Sequence, residues 1–247
     1  MRKKIIQVIG FFILRGCMYF VLAVLLLFLY DIGKKGGGAI SWEFLTAAPR
    51  RGMTEGGIFP AIMGTFLVTM VTAVLAIPLG MFSAIYLNEY AKQTRLTRLI
   101  RLSIRNLSGV PSIVYGLFGV ILFVNILKFG TSILSAGLTL GLLTLPWTIT
   151  ASEEALKTIP NSYREGALAL GATKWQAIRT NVLPYAIPGM LTGTVLGLAR
   201  AAGETAPIMF TGAAFYLPYL PKSLGDQFMA LPYHLYILAT QHHAITQ

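Results

Sequence analysis

Long apolar runs constrain this chain more than any other feature. Five of them, Ile5 to Tyr30, Ile58 to Leu87, Leu107 to Leu127, Ile133 to Ala151 and Ile187 to about Phe210, approach or exceed the roughly 20 helical residues needed to cross a hydrocarbon layer about 30 Å thick. Water is absent there, so each run must satisfy its own backbone polar groups and is expected to be a helix. Arg15 interrupts the first run, which is expected to span from Gly16 or slightly earlier. Only 12% of the 247 residues are charged and 55% are hydrophobic, against about 25% charged in soluble domains. A water-soluble globular protein is therefore excluded. The expectation is an all-α polytopic helical bundle, a single transmembrane domain over 1–247 with little chain left for a soluble domain.

Twenty Lys and Arg against nine Asp and Glu give a net charge of +11. In a polar chain that surplus would suggest nucleic acid, but here it lies between apolar runs, so no nucleic-acid partner is expected. Residues 1–4, 88–105 and 153–182 carry three, five and four basic residues, twelve in all; the alternate segments carry six, Lys34, Lys35, Arg50, Arg51, Lys128 and Lys222. Cytoplasmic loops attract the basic excess, which puts the N-terminus inside. The N-terminal run is too long, and lacks a prompt small-residue cleavage site, to read as a signal peptide. External loops are then expected at about 31–57, with a flexible turn at Gly36-Gly37-Gly38, and at about 213–247, a Tyr- and Pro-rich stretch.

The cytoplasmic segment at about 158–184 carries more pattern than a tether needs. Ser162 and Glu165 stand in capping-box spacing, Gly171 suits a helix end, and Thr173 with Gln176 repeats the spacing before Pro184. The expectation is helix, glycine turn, helix, with the second helix closing before Pro184. No phosphate-binding Gly-x-x-x-x-Gly-Lys-Ser/Thr loop occurs, so any ATP must be hydrolysed by another chain. The single Cys17 excludes a disulfide framework. His234, His242 and His243 lie in the terminal stretch without an acidic cluster and are not read as a metal site. Glu153 and Glu154 are adjacent, point to different sides of a helix, and mark the inner end of the fourth run.

Arg200 sits twelve residues beyond Pro188, about 18 Å along a helix and near mid-membrane. Insertion there costs roughly 2.5–3.5 kcal/mol, so the side chain is expected to face the bundle interior and have a partner. Glu204, at i+4, can supply it. A planar guanidinium also suits phosphate oxygens. The two readings are an anion path and a structural ion pair. Hydroxyls along such a path are Ser108, Ser112, Thr65, Thr69, Thr72 and Thr205, of which Ser112 and Thr205 are least explained by packing; Gly109, Gly116 and Gly119 allow close helix approach. An intramembrane enzyme would need a nucleophile or metal triad that the spans lack, and a passive channel has no use for the structured loop.

Glu165-Gly-Ala167, three residues, Gly171 and then Leu183-Pro184 resemble the signature loop of ABC importer permeases, with Gly166 and Asn181 departing from it. Gly56 to Thr65, Pro78 to Tyr90, Gly109 to Gly119 and Leu198 to Pro207 are similar to one of the two permeases of the bacterial phosphate importer, the PstA type. The resemblance implies a type I ABC importer permease fold of six spans, five here and a sixth expected beyond Gln247. It implies an ATPase-coupling helix from Tyr163 to Leu170, drawing in Arg164, Glu165, Ala167 and Gly171, and a substrate path through Arg200, Glu204, Thr205 and Ser112. It implies phosphate as substrate. The partners it implies are a PstC-like second permease, a PstB-like ATPase dimer holding ATP and Mg, and a PstS-like periplasmic phosphate-binding protein. No cofactor is expected on this chain.

Overall fold

The computed structural model describes residues 2–53 and 55–240. It consists of two compact units, 1–47 and 48–247. The first is built on α1 (Arg2–Gly36) and the short α2 (Trp42–Thr46). Arg15 does not break α1, and the helix runs through Gly36, after which Gly37–Ala39 form a single tight turn. The first external segment expected from sequence is thus partly helical.

The second unit is assembled around α3 (Phe59–Ile85) and α6 (Ile133–Lys157), which share its largest helix–helix interface. The π-turn Tyr86–Tyr90 finishes α3. Among the described residues four helices are long and apolar enough to cross a membrane, and a fifth arises only if α4 (Arg95–Leu107) and the segment Ser112–Ile126 are joined across a 101° bend. The third run expected at Leu107 to Leu127 is therefore divided. Its membrane part is α5 (Ser112–Gly119) continued by the π-helical Val120–Ile126, fifteen residues or about 22 Å. Pro111 lacks an N–H and disfavours helix at Val110, and α4 turns away from the bundle axis. On α4, Arg95, Arg98 and Arg105 lie on one side, exposed Leu96, Leu99, Ile100 and Leu107 on the other, with Thr97, Arg101 and Ile104 between them facing the protein. That segregation fits a helix lying in the membrane interface.

Residues 161–202 also depart from expectation. Pro160, not Ser162, stands at the N-cap of α7 (Asn161–Ala169), and no side chain caps that start. Proline pre-sets the helical φ one step earlier. Gly171 takes φ +84°, with its N–H bonded to Leu168 O (3.0 Å) and the Ala172 N–H to Ala167 O (3.1 Å), the paired bonds that close a helix on a left-handed residue. The Thr173–Gln176 capping box is present. The helix it starts, α8 (Lys174–Ala177), does not close before Pro184. It passes through a π-turn at Ile178–Val182 into α9 (Leu183–Ala202), one apolar helix of 29 residues. The π-turn leaves Pro184, at the start of α9, in helix without an N–H to place.

The fifth run breaks at Gly203–Thr205 before α10 (Ala206–Thr211). Beyond it, residues 212–230 fold over the end of α6. The N–H groups of Ile133 and Leu134 donate to Asp226 O (3.0 Å) and Leu224 O (2.9 Å), Ser132 N–H donates to Thr211 O (3.0 Å), and the Ser132 hydroxyl accepts from Ser135 N–H. The orphan donors at that helix start are thereby satisfied. Residues 231–240 form α11 (Leu231–Thr240), whose first N–H donates to Thr65 Oγ1, so the terminal stretch read as loop contains a helix.

Candidate functional site

The register of α6 and α9 places the site. Added Cβ atoms at Gly189 and Gly193 would crowd Ala155 and Ala151, and one at Gly197 would touch Thr144 and Trp147. The helices are therefore antiparallel, and Arg200 lies opposite the middle of α6, level with Trp147. Its guanidinium sits over the Trp147 ring at 4.9 Å and its Nε is 3.7 Å from Glu204 Oε1. That separation is an ion pair without a hydrogen bond. The expected partner, Glu204, is present, but the side chain does not turn into the interior of its own bundle. The Arg200 side chain is 50% exposed, because the buried face of α9 is formed by Ala186, Met190, Thr194, Gly197 and Ala201 and Arg200 stands beside it. Cation–π attraction to an indole is worth about 0.5–2 kcal/mol, which leaves most guanidinium donors free.

Added Cβ atoms also order α5 against α10: Gly116 faces Ala206 and Pro207, and Gly119 faces Thr211 and Thr139. The two run parallel, so the breaks at 108–111 and 203–205 fall at the same end of the pair. Ser112 opens α5 and Thr205 precedes α10, which brings these two residues to one level. The other chosen hydroxyls are committed to helix carbonyls: Thr65 to Ala61 O, Thr69 to Thr65 O, Thr72 to Val68 O and Gly137 O, and Ser108 to Ile104 O. They serve packing.

At the other end of the unit α7 presents two sides. Tyr163, Glu165 and Gly171 are exposed and Leu170 is 91% exposed, while Ala167 is buried. Arg164 points inward. Its Nη2 donates to Glu89 Oε1 (2.7 Å) and Leu156 O (3.1 Å), its Nε to both Glu89 oxygens, and its Nη1 to Ile159 O (2.9 Å). Among the six residues assigned to docking, Arg164 is thus unavailable to an outside partner. Beside it, Arg101 Nη2 donates to Leu87 O (2.6 Å) and Arg101 Nε lies 3.4 Å from the buried Glu153. Glu154, on the other side of α6, pairs with Lys157 at 2.7 Å. Sequence reasoning missed Trp147, Glu89 and Arg101. A tryptophan after a mid-span proline, and an acid at the end of an apolar run, were the available signals.

Among the described residues no three of His, Cys, Asp and Glu converge on a metal-sized site. His234 is buried in α11, and His242 and His243 lie outside the described residues.

Among the described residues the chain is a helical bundle with several apolar helices long enough to cross a membrane and a structured loop between two of them, the architecture of a polytopic membrane protein. The chain belongs to the family described as binding-protein-dependent transport system inner membrane component, whose model matches residues 76–240. It is 34% identical over 212 residues to the probable ABC transporter permease protein YqgI of Bacillus subtilis, covering 85% of this chain and 72% of that one. It is 43% identical over 154 residues to the phosphate transport system permease protein PstA 1 of Mycobacterium tuberculosis H37Rv, covering 62% of this chain and 50% of that one. Against PstA of Haemophilus influenzae the identity is 31% over 208 residues, 84% of this chain and 73% of the relative. The chain thus spans about half of the mycobacterial relative and nearly three quarters of the other two.

Proposed function

We propose that this chain is the transmembrane permease subunit of an ATP-driven importer that moves inorganic phosphate into the cytoplasm, a multi-pass protein of the bacterial inner membrane with its N-terminus in the cytoplasm. It binds no cofactor. ATP and Mg sit on a separate PstB-like ATPase dimer that docks on the exposed side of α7, a PstC-like permease covers the Arg200 face, and a PstS-like protein delivers phosphate from outside. The names of the PstA relatives support the substrate.

Arg200 carries the reading. A half-exposed guanidinium level with the middle of α6, 3.7 Å from Glu204, is poorly placed for a purely structural pair, which would be short and buried. It is well placed for an anion that arrives, bonds to the planar donors and leaves. Glu204 keeps that affinity modest by competing for the same charge.

The test is radiolabelled phosphate uptake by the whole complex, normalised to its abundance. Arg200→Gln is expected to assemble and lose uptake, and Arg200→Lys to retain part of it. In the double variant Arg200→Gln with Glu204→Gln, wild-type uptake would establish the structural pair and remove the anion site. Sulfate and molybdate uptake measured alongside tests the substrate.

A further inference from the structure

We propose that Arg164 and Glu89 are positioning residues that form a fixed joint, through which displacement of α7 moves the inner ends of α3 and α6 together. The proposal rests on α7 being the surface an ATPase grips, and it assigns a role to residues of its hidden side.

Covalently, α7 is tied only to its chain neighbours, to α6 through Thr158–Pro160 and to α8 through the Gly171 turn. The nearer end of α3 is 75 residues away in sequence at Glu89, so any motion reaches α3 through space. The guanidinium of Arg164 spans that gap with all three nitrogens engaged. Two of them hold Glu89, whose Oε1 also accepts from Asn88 Nδ2 at 2.9 Å. Two also reach Leu156 O, in the last turn of α6, and Ile159 O, in the link to α7, where carbonyls lack the partner four residues on that a continuing helix would supply. One side chain therefore closes α6 and binds α3 at once.

The joint is buried and stiff. The Glu89 side chain is 5% exposed and that of Arg164 18%. A planar fork meeting a carboxylate on fixed donors permits little rotation. Around it, Lys174 at the start of α8 lies over the Tyr90 ring at 5.0 Å. Ile178 and Val182 pack in one cluster with Ala84, Ile85 and Leu87. The α3 end is thus clasped polar-side by Arg164 and apolar-side by the π-turn of the next helix. Meanwhile Tyr163, Glu165 and Leu170 remain outward. Tyr163 and Glu165 flank Arg164 at about 100° to either side on a nine-residue helix, so a push on the exposed residues is delivered to the joint between them.

The whole complex, carrying Cys17→Ser and spin labels at Lys92→Cys and Asn161→Cys, is measured with and without ATP in lipid. A single narrow distance between α7 and the end of α3, unchanged by nucleotide, is expected; a broad or nucleotide-dependent distance overturns the joint. The double variant Glu89→Gln with Arg164→Gln leaves no unpaired buried charge and is expected to assemble with a normal amount of ATPase. In it the distance broadens, and phosphate moved per ATP hydrolysed falls at least tenfold. Unchanged uptake per ATP in that variant overturns the proposal, as does loss of the ATPase from it, which would make Arg164 a docking residue. A wild-type complex that keeps the narrow distance and moves no phosphate supports the joint and removes only the substrate reading.

Discussion

Gly171 shows how much one backbone angle decides. At φ +84° a side chain costs about 1–2 kcal/mol, and nothing surrounds the position to offset that. Gly171→Ala is expected to leave the spans inserted and raise the rate of limited proteolysis between α7 and α8 roughly fivefold or more, the factor corresponding to about 1 kcal/mol. Asp226 orders the loop at the far end through hydrogen bonds instead. Its carboxylate accepts from the backbone N–H of Ser223 and of Lys222 and from the Ser223 hydroxyl, which together hold its pKa below the ordinary carboxylate value. Because the folded pKa is depressed, the stabilisation is complete above the ordinary value and is lost as pH falls through and below it. Hydrogen exchange at Lys222 and Ser223, corrected for intrinsic rate, is expected to quicken on acidification in wild type and to be fast and insensitive in Asp226→Asn.

Small residues set the element scale, because α6 and α9 meet through Gly189, Gly193 and Gly197. Gly193→Leu forces the pair apart at Ala151, an overpacking that costs about 1–3 kcal/mol, and is expected to lower the melting temperature of the purified complex while Leu196→Met on the exposed side leaves it unchanged. Local features of these elements were legible in sequence. Thr173 and Gln176 cap through bonds three residues apart, Gly171 ends a helix by its own φ, and Arg200 and Glu204 are one turn apart by spacing alone. What escaped depends on distant chain. Trp147 reaches Arg200 only because α6 and α9 are antiparallel, and Arg164 turns inward only because α3 ends beside it. The division of the third run at Pro111 was misread because hydropathy sums across a bend, and α9 was drawn too short because a π-turn carries helix past a proline that sequence rules treat as a stop.

For the unit formed by 48–247, the exposed Arg200 and Trp147 sit level with the middle of α6, the most buried of the described membrane-length helices, where lipid would penalise the cation. A photo-crosslinking residue at Leu196, one turn before Arg200 and 68% exposed, is expected to capture a second permease in the complex; capture of lipid alone would leave the face uncovered. The unbroken helix from Lys174 to Ala202 adds a mechanical consequence. Arg200 stands 26 residues from its Lys174 end, about 39 Å along a rise of about 1.5 Å per residue. A rod of that length is a lever. A tilt of about 5° at the loop sweeps the far tip through roughly 3 Å, comparable to the donor–acceptor reach of one hydrogen bond. Arg200 lies just short of the break at Gly203, so the swing is delivered to the cation while α10, beyond the break, can stay where Gly116 holds it. A small tilt at the Lys174 end is therefore enough to shift the guanidinium by about the reach of one hydrogen bond, the displacement that the proposed anion site would need to bind and release.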